Sequence, residues 1–331
     1  MEPLFILSSP RSFTSIVAGM IGMHPRLYAV PELHLLEKER LDELISFFIS
    51  ERQEKKLHGL RRVLSQLLIG EQTLAGVRMA DRWLERRMSF TTKEIYLELI
   101  QMTNGLGFVD KSPAYSLSAT TLKRLAEAFP ASKFIHLVRH PIGQGLSMAK
   151  LLPSTVRARR KLHNLQSRFR EMSTVVPPLA RDLVRMRTLE SHEDNRVSQE
   201  IDIDFQHLWC RMQSRIVQFL SDIDEDRQMT IRGEDFLVNP IGKCEEISAF
   251  LGIPWNSEYA EDVLHPELSP YACLGPQGAQ FGNDINYLLD PCYRQREVVI
   301  PKFGNAIIPW RNDGAKFEAT TISLASSFGY E

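Results

Sequence analysis

The chain has 331 residues, and its 40 lysines and arginines against 41 aspartates and glutamates leave a formal charge of −1. That balance excludes a generally polybasic nucleic-acid coat and an acidic solvating protein. Hydrophobic residues at 43% and charged residues at 24% suit a globular chain with a sizeable core and exclude wholesale disorder.

No stretch approaches the roughly 18 to 20 apolar residues needed to span a bilayer, and Leu4 to Leu7 is too short for the apolar core of a signal peptide. The expectation is a cytoplasmic protein with neither membrane nor nucleic acid as partner. Cys210, Cys244, Cys273 and Cys292 contain no CxxC pair and read as reduced, mostly buried thiols. Without HExxH or similar histidine spacing, no metal site is expected.

In chain order, Leu4-Phe5-Ile6-Leu7 predicts a strand that runs into a polar loop, Ser8-Ser9-Pro10-Arg11-Ser12-Phe13-Thr14-Ser15. A helix is predicted from about Ser15 to Met23, ended by His24-Pro25 because the residue before proline is pushed out of the α region. Leu57, Leu60, Leu64 and Leu67, with Val63 and Leu68, form a helical core stripe, with Arg61, Arg62 and Gln66 on the opposite face. Further helices are expected at Lys93 to Met102 and Ser118 to Phe129, separated by a short strand at Gly107-Phe108-Val109 and the turn Asp110-Lys111-Ser112-Pro113. Lys133 to Arg139 reads as a buried strand, with Pro141 opening the next helix.

Residues 157 to 187 are basic and the stretch up to Asp204 is acidic, a pattern compatible with a solvated helix face, a lid over an anionic ligand or a partner-docking patch. A helix from Phe205 to Leu220, a strand at Met229 to Arg232, a helix from Pro240 to Leu251 and a last helix near Thr320 to Ser327 come next. The segment from Gly275 to Arg311 is rich in Gly, Pro and Asn and is expected to be a long wrapping loop. Strand-loop-helix units of this kind define an α/β fold whose central parallel sheet is flanked by helices, with ligands beyond the carboxyl ends of the strands.

Two loops carry the candidate chemistry. Residues 8 to 15 combine hydroxyls and Arg11 at a helix N-terminus, where backbone N–H groups make an anion cradle. The loop lacks the GxxxxGK[ST] pattern, which counts against an ATPase, a GTPase or a kinase-like phosphoryl transferase. In Leu137-Val138-Arg139-His140-Pro141, Arg139 ends a strand and Ser147 lies nearly two turns into the next helix, so both could face one anion.

Together these loops resemble the two cofactor motifs of sulfotransferases that use 3′-phosphoadenosine 5′-phosphosulfate (PAPS): the PRSGTT-type loop for the 5′-phosphosulfate and the LVRxPxxxxxS-type segment for the 3′-phosphate. Pro31-Glu32-Leu33-His34-Leu35-Leu36 resembles the PELHLL segment of sulfotransferase domains in polyketide synthases of the curacin type. Asp110-Lys111-Ser112-Pro113 resembles their DKSP turn and, more distantly, the lysine motif of tyrosylprotein sulfotransferases. Arg232-Gly233-Glu234-Asp235-Phe236-Leu237 with Pro240 is similar to RYEDLxxxP, and Trp310 and Gly329-Tyr330-Glu331 also have counterparts. The chain departs from the motifs at Phe13, where glycine is usual, and at Gly233, where tyrosine is usual.

The resemblance implies a single sulfotransferase domain over residues 1–331, of P-loop-like fold, with residues 151–204 as a variable helical lid or insertion and a long C-terminal wrapping segment. It implies transfer of a sulfuryl group from PAPS to a hydroxyl, or less readily an amine, of a small natural-product acceptor, leaving adenosine 3′,5′-bisphosphate (PAP). Glu32 would be the general base with His34 as second candidate, and Lys111 and Arg11 would be the cations at the reacting centre. Pro10, Arg11, Ser12, Phe13, Thr14, Ser15, Arg139, Ser147, Arg232 and Arg311 would bind the cofactor. An acceptor tethered to an acyl carrier protein, and a catalytically impaired nucleotide-binding protein of the same fold, remain as alternatives.

Overall fold

Four apolar residues, Leu4–Leu7, form β1, the central strand of a five-stranded sheet. The computed structural model describes residues 2–150, 204–295, 299–304 and 307–331, so the expected lid at 151–204, including the basic stretch 157 to 187, lies outside the described residues except at Asp204. Two compact units are present: Met1–Arg139 with Met212–Val299, and His140–Arg211 with Ile300–Glu331.

The first unit holds β1, α1 (Thr14–Ile21), β2 (Leu27–Ala29), α2 (Leu41–Ser50), α3 (Leu57–Ile69), α4 (Leu74–Glu85), α5 (Thr92–Met102), β3 (Gly107–Asp110), α6 (Ala119–Ala128) and β4 (Lys133–Val138). After α7 (Pro141–Ala149) of the second unit comes α8 (Phe205–Leu220), whose residues from Met212 onward belong to the first. The first unit then adds β5 (Gln228–Arg232), α9 (Gly233–Val238), α10 (Pro240–Leu251), α11 (Tyr259–Asp262) and α12 (Ile285–Leu289), and α13 (Ala319–Ser327) belongs to the second.

The five strands are parallel and ordered β2-β3-β1-β4-β5. Side chains alternate across them as the two-residue period of a strand requires. Phe5, Leu7, Phe108 and Phe134 join one core with residues of α2, α3, α5 and α6, whereas Leu4, Ile6, Val109, Ile135, Leu137 and Ile231 join the opposite core with residues of α1 and α10. Both faces are therefore covered, which explains why β1 reads as an unbroken apolar run. Phe5 meets the rings of Tyr96, Tyr115, Phe129 and Phe134, and its truncation to alanine removes packing worth about 3–5 kcal/mol. The shared register brings the carboxyl ends of β1, β3, β4 and β5 to one edge, with Val138 beside Arg232.

Several expectations need correction. The first helix stops at Ile21, because Met23 N–H and His24 N–H bond three residues back, to Met20 O and Ile21 O, and tighten the chain ahead of Pro25. Arg62 does not lie on a solvated face. It is fully buried, with its guanidinium donating to Gln72 Oε1 at 2.6 Å and to the Phe281 carbonyl at 3.4 Å, so distant segments shield a charge that helical periodicity alone assigns to water. The cysteines are free, but Cys273 and Cys292 are exposed on irregular segments and only Cys244, on the core side of α10, is buried. Among the described residues β2, α2, α4, α9 and α11 lie in segments where the sequence pattern predicts no regular element, and α12 interrupts the expected C-terminal loop.

In the second unit, the His140 ring caps α7 by accepting from Ile142 N–H at 3.1 Å, and it packs on Phe303 and Tyr330. Among the described residues no helix is long and apolar enough to cross a membrane.

Candidate active site

The loop between β1 and α1 turns sharply at buried Pro10, and its hydroxyls at Ser8, Ser9, Ser12, Thr14 and Ser15 are all buried. Arg11 and Phe13 both adopt left-handed backbone, with φ of 66° and 64°. For residues with a Cβ that conformation costs about 1–2 kcal/mol each, so the surroundings must hold it. They do so from β4, from α8 and from the start of α12. The Arg139 guanidinium, just after β4, donates to the Arg11 carbonyl at 2.6 Å and stands over the Phe13 ring, 3.9 Å from its centroid. His136 of β4 meets Gln213 Oε1 of α8 at 2.5 Å, Gln213 Nε2 donates to Ser9 Oγ at 3.2 Å, and Ser9 and Ser12 hydroxyls bond at 3.0 Å. Burial lowers His136 to a pKa of about 4, so its ring is neutral at physiological pH. Asp284, the N-cap of α12, pairs through its carboxylate with Arg11 and donates its N–H to Ser15 Oγ at 3.1 Å.

The segment carrying Glu32 and His34 is fixed from β3. Ser112 Oγ accepts from Leu33 N–H at 3.1 Å and His34 N–H at 3.3 Å, and itself donates to Asp110 Oδ1 at 2.8 Å. Tyr96 and Tyr115 hydroxyls donate to Asp110 Oδ2 at 3.3 and 3.0 Å. Burial nevertheless lifts Asp110 to about 6, since three donors offset only part of the desolvation of a carboxylate at the end of a covered strand. On the other side Glu32 N–H donates to the Gly282 carbonyl at 2.6 Å, and Gly59 of α3 lies so close to the Glu32 carbonyl that any Cβ there would overlap it.

Lys111 joins the two halves of the site. Its ammonium, only 1% exposed, donates to Ser15 Oγ at 2.9 Å and to Glu32 Oε1 at 3.0 Å. The other carboxylate oxygen of Glu32 lies 3.4 Å from His34 Nε2, His34 Nδ1 lies 2.7 Å from Glu37 Oε1, and Lys56 Nζ reaches Glu37 Oε2 at 3.0 Å. Basic and acidic groups thus alternate along Lys56, Glu37, His34, Glu32 and Lys111, so each carboxylate lies between two basic side chains. Burial would raise Glu32, but the Lys111 ammonium and the His34 contact prevail and hold it at about 2. Glu37 is held at about 2 in the same way, against burial, by Lys56 and His34. For His34, burial is outweighed by the two carboxylates, and its pKa is raised. The two carboxylates thus favour the charged form of the ring, which faces one of them from each nitrogen.

Of the residues expected to form the site, Arg11, Ser12, Phe13, Thr14, Ser15, Glu32, His34, Lys111 and Arg139 gather in the first unit around the ends of β1, β3 and β4. Arg232 closes β5 and binds Asp235 through two bonds of 2.7 and 2.9 Å. Ser147 and Arg311 belong to the second unit, where Arg311 pairs with Asp204 at 2.9 Å and with Asp313. Sequence reasoning misses Glu37, Lys56, Gln213 and Asp284. Only Glu37 carries a local signal, three residues beyond His34 and thus one turn away.

A hydroxyl-rich loop at a strand-helix junction, with a buried lysine bridging it to a carboxylate, lies at the carboxyl end of an α/β sheet. A profile described as the Sulfotransferase family matches residues 3–257, and the chain belongs to that family: the protein is a sulfotransferase. Among solved structures it is similar to the sulfotransferase domain from the curacin biosynthetic pathway, with 23% identity over 100% of this chain and 98% of that one and a TM-score of 0.67. It is also similar to the sulfotransferase domain from the Synechococcus PCC 7002 olefin synthase, with 22% identity over 100% and 95% of the chains and a TM-score of 0.64. These likenesses establish the expected α/β fold. Among curated protein sequences none matches this chain.

Proposed function

We propose that the protein transfers the sulfuryl group of PAPS to a hydroxyl of a small natural-product acceptor, with Glu32 as general base. The observation that carries this reading is the Lys111 ammonium shared between Ser15 of the anion loop and Glu32. One cation thereby touches both the place where an anionic donor would sit and the group that would activate the acceptor.

The residues present fit a ligand rich in anionic oxygens. The loop offers backbone N–H groups at the start of α1, and the buried Ser8 hydroxyl has no hydrogen-bond partner among the described residues. Arg11, Lys111 and Arg139 supply cations that the net charge of −1 conceals. PAPS, when bound, supplies an activated sulfuryl group whose transfer leaves negative charge on a phosphate oxygen.

Lys111 and Arg11 would stabilise that charge as it develops. Glu32 would take the acceptor's proton as the acceptor oxygen bonds to sulfur and the sulfur–phosphate oxygen bond breaks. Lys111 links the two events. While its hydrogens serve Glu32 the carboxylate stays near 2, and when they are shared with an anionic ligand, burial is left to raise its basicity. The His34 ring, 3.4 Å from the second oxygen of Glu32, would orient that carboxylate. The biosynthetic origin of the two similar domains favours a natural-product acceptor, free or tethered to an acyl carrier protein.

Slow turnover of PAPS by the purified protein tests the proposal. PAP should be released, Glu32→Ala should abolish release while leaving PAP binding intact, and Arg139→Ala should weaken PAP by about 2–4 kcal/mol but adenosine 5′-phosphate far less. Preference for ATP over PAP in competition overturns the reading.

A further inference from the structure

A phenylalanine at φ 64° has a backbone conformation that a glycine would adopt without strain, so its ring must serve some purpose at position 13. The ring has two neighbours of interest. One is the Arg139 guanidinium, 3.9 Å above its centroid. The other is Gly233, where an ideal Cβ would lie 2.7 Å from Phe13 Cδ2 and 3.4 Å from the Val138 carbonyl. Backbone bounds this space on one side and the aromatic ring fills it, so a side chain at 233 would have to displace the ring.

These residues occupy three junctions at one edge of the sheet. Phe13 precedes α1, Arg139 follows β4 and Gly233 follows β5, with the last residues of those strands, Val138 and Arg232, paired in register. They are also brought together by chemistry. Stacking engages the face of the guanidinium, whereas its N–H donors lie in the plane and stay directed at oxygen acceptors, as the 2.6 Å bond to the Arg11 carbonyl shows. The ring and that carbonyl thereby fix Arg139 in both tilt and direction. The two positions at which the chain departs from the family motifs are in contact with each other, one having gained a ring and the other having kept none.

We infer that Phe13 is a positioning residue for Arg139, seated in space that Gly233 leaves open, and that it sets recognition of the second phosphate of a bisphosphate nucleotide. The inference rests on the reading of Arg139 as the group that meets that phosphate.

Calorimetry on the full chain with PAP and with adenosine 5′-phosphate tests it. Phe13→Gly keeps the left-handed backbone without strain, so a thermal melt should show a folded protein. PAP affinity should fall about tenfold, the size of a cation–π contact in a partly desolvated site, while adenosine 5′-phosphate changes by less than about twofold. Phe13→Tyr should bind as the wild type does. Gly233→Phe alone should weaken PAP, and Phe13→Gly combined with Gly233→Phe should recover much of the discrimination by returning a ring to the same space. Wild-type protein that binds neither nucleotide overturns the proposed function and this inference with it. Wild-type protein that discriminates, with Phe13→Gly discriminating equally well or losing both ligands equally, overturns this inference alone. A double variant no better than Phe13→Gly overturns the shared space of residues 13 and 233.

Discussion

The Asp284 carboxylate rests on the Arg11 guanidinium, so the cation assigned to a bound phosphosulfate already holds an anion from within the chain. Asp284 is also tied to the loop through Ser15 and caps α12 by accepting from Asn286 N–H at 2.9 Å. A ligand anion at Arg11 would share the guanidinium with this carboxylate and be repelled by it. Asp284→Asn retains the capping oxygen and removes the charge, and should tighten PAP about three- to tenfold, the scale of one like-charge neighbour in a partly solvated site. Titration calorimetry at fixed ionic strength reads the effect, and weaker binding would show that Asp284 builds the site rather than competing in it.

Glu32 and Lys111 should separate in kinetics. Glu32→Gln preserves shape and removes the base, so kcat should fall by about 10²–10⁴ with PAP affinity unchanged. Lys111→Met should lower kcat and weaken PAP together, because the ammonium serves the loop as well as the acid. If Glu32→Gln kept more than a tenth of wild-type kcat, the base would have to be sought elsewhere.

Acidity distinguishes the two candidate bases. Glu32 is held at about 2, so a reaction that needs its carboxylate should show no loss of kcat/KM from Glu32 protonation between pH 5 and 7. His34 lies above its ordinary 6.5 because Glu32 and Glu37 favour the imidazolium. A reaction that needs a neutral His34 would therefore rise tenfold per pH unit below that raised value. The expected profile is the flat one, and Glu37→Gln, by withdrawing one of the carboxylates, should lower the pKa of His34 in an NMR titration.

Asp110 makes stability depend on pH in the opposite sense from the ion-paired acids. Its folded pKa of about 6 exceeds the ordinary 3.8, so the native state retains a proton that the unfolded chain has lost. Its contribution is fully present below about pH 4 and is lost as pH rises through 6, by on the order of 3 kcal/mol. Glu32 and Glu37, depressed from 4.5 to about 2, contribute above pH 4.5 and lose their effect as pH falls toward 2. Urea unfolding of wild type and Asp110→Asn at pH 4 and pH 7 isolates the first effect: the wild type's advantage over the variant should shrink by that amount. A constant difference would place Asp110 ionised in both states.

Much of this is legible in the sequence because it is local. The apolar runs at Leu4–Leu7 and Lys133–Val138, the proline opening α7 and the polar turns after the strands are consecutive residues, and the structure places the elements within a residue or two of their expected bounds. The gathering of Arg11, Glu32, Lys111 and Arg139 is legible only through motif resemblance, since nothing in spacing brings position 32 to position 111. The features that stay hidden depend on contacts across long stretches of chain. Arg62 is buried by residues near 72, 273 and 281, Arg11 finds its carboxylate at 284, and Gln213 supports a loop at position 9. Three-residue β2 falls below the length at which alternation can be read, and its pairing with β3 is supplied by the sheet.

The buried imidazole of β4 is the inner end of a row of hydrogen bonds that reaches the loop after β1. Because the His136 ring is neutral and faces an amide oxygen, its Nε2 carries the hydrogen, Gln213 turns its NH₂ to Ser9, and the Ser9 and Ser12 hydroxyls share one further bond. The row of bonds runs from the sheet interior outward and ties the Ser12 hydroxyl, through Ser9 and Gln213, to β4. If the loop takes the proposed anion, its hydroxyls are already held by the fold, and the reorientation that water would have to undergo around the same charge is completed during folding.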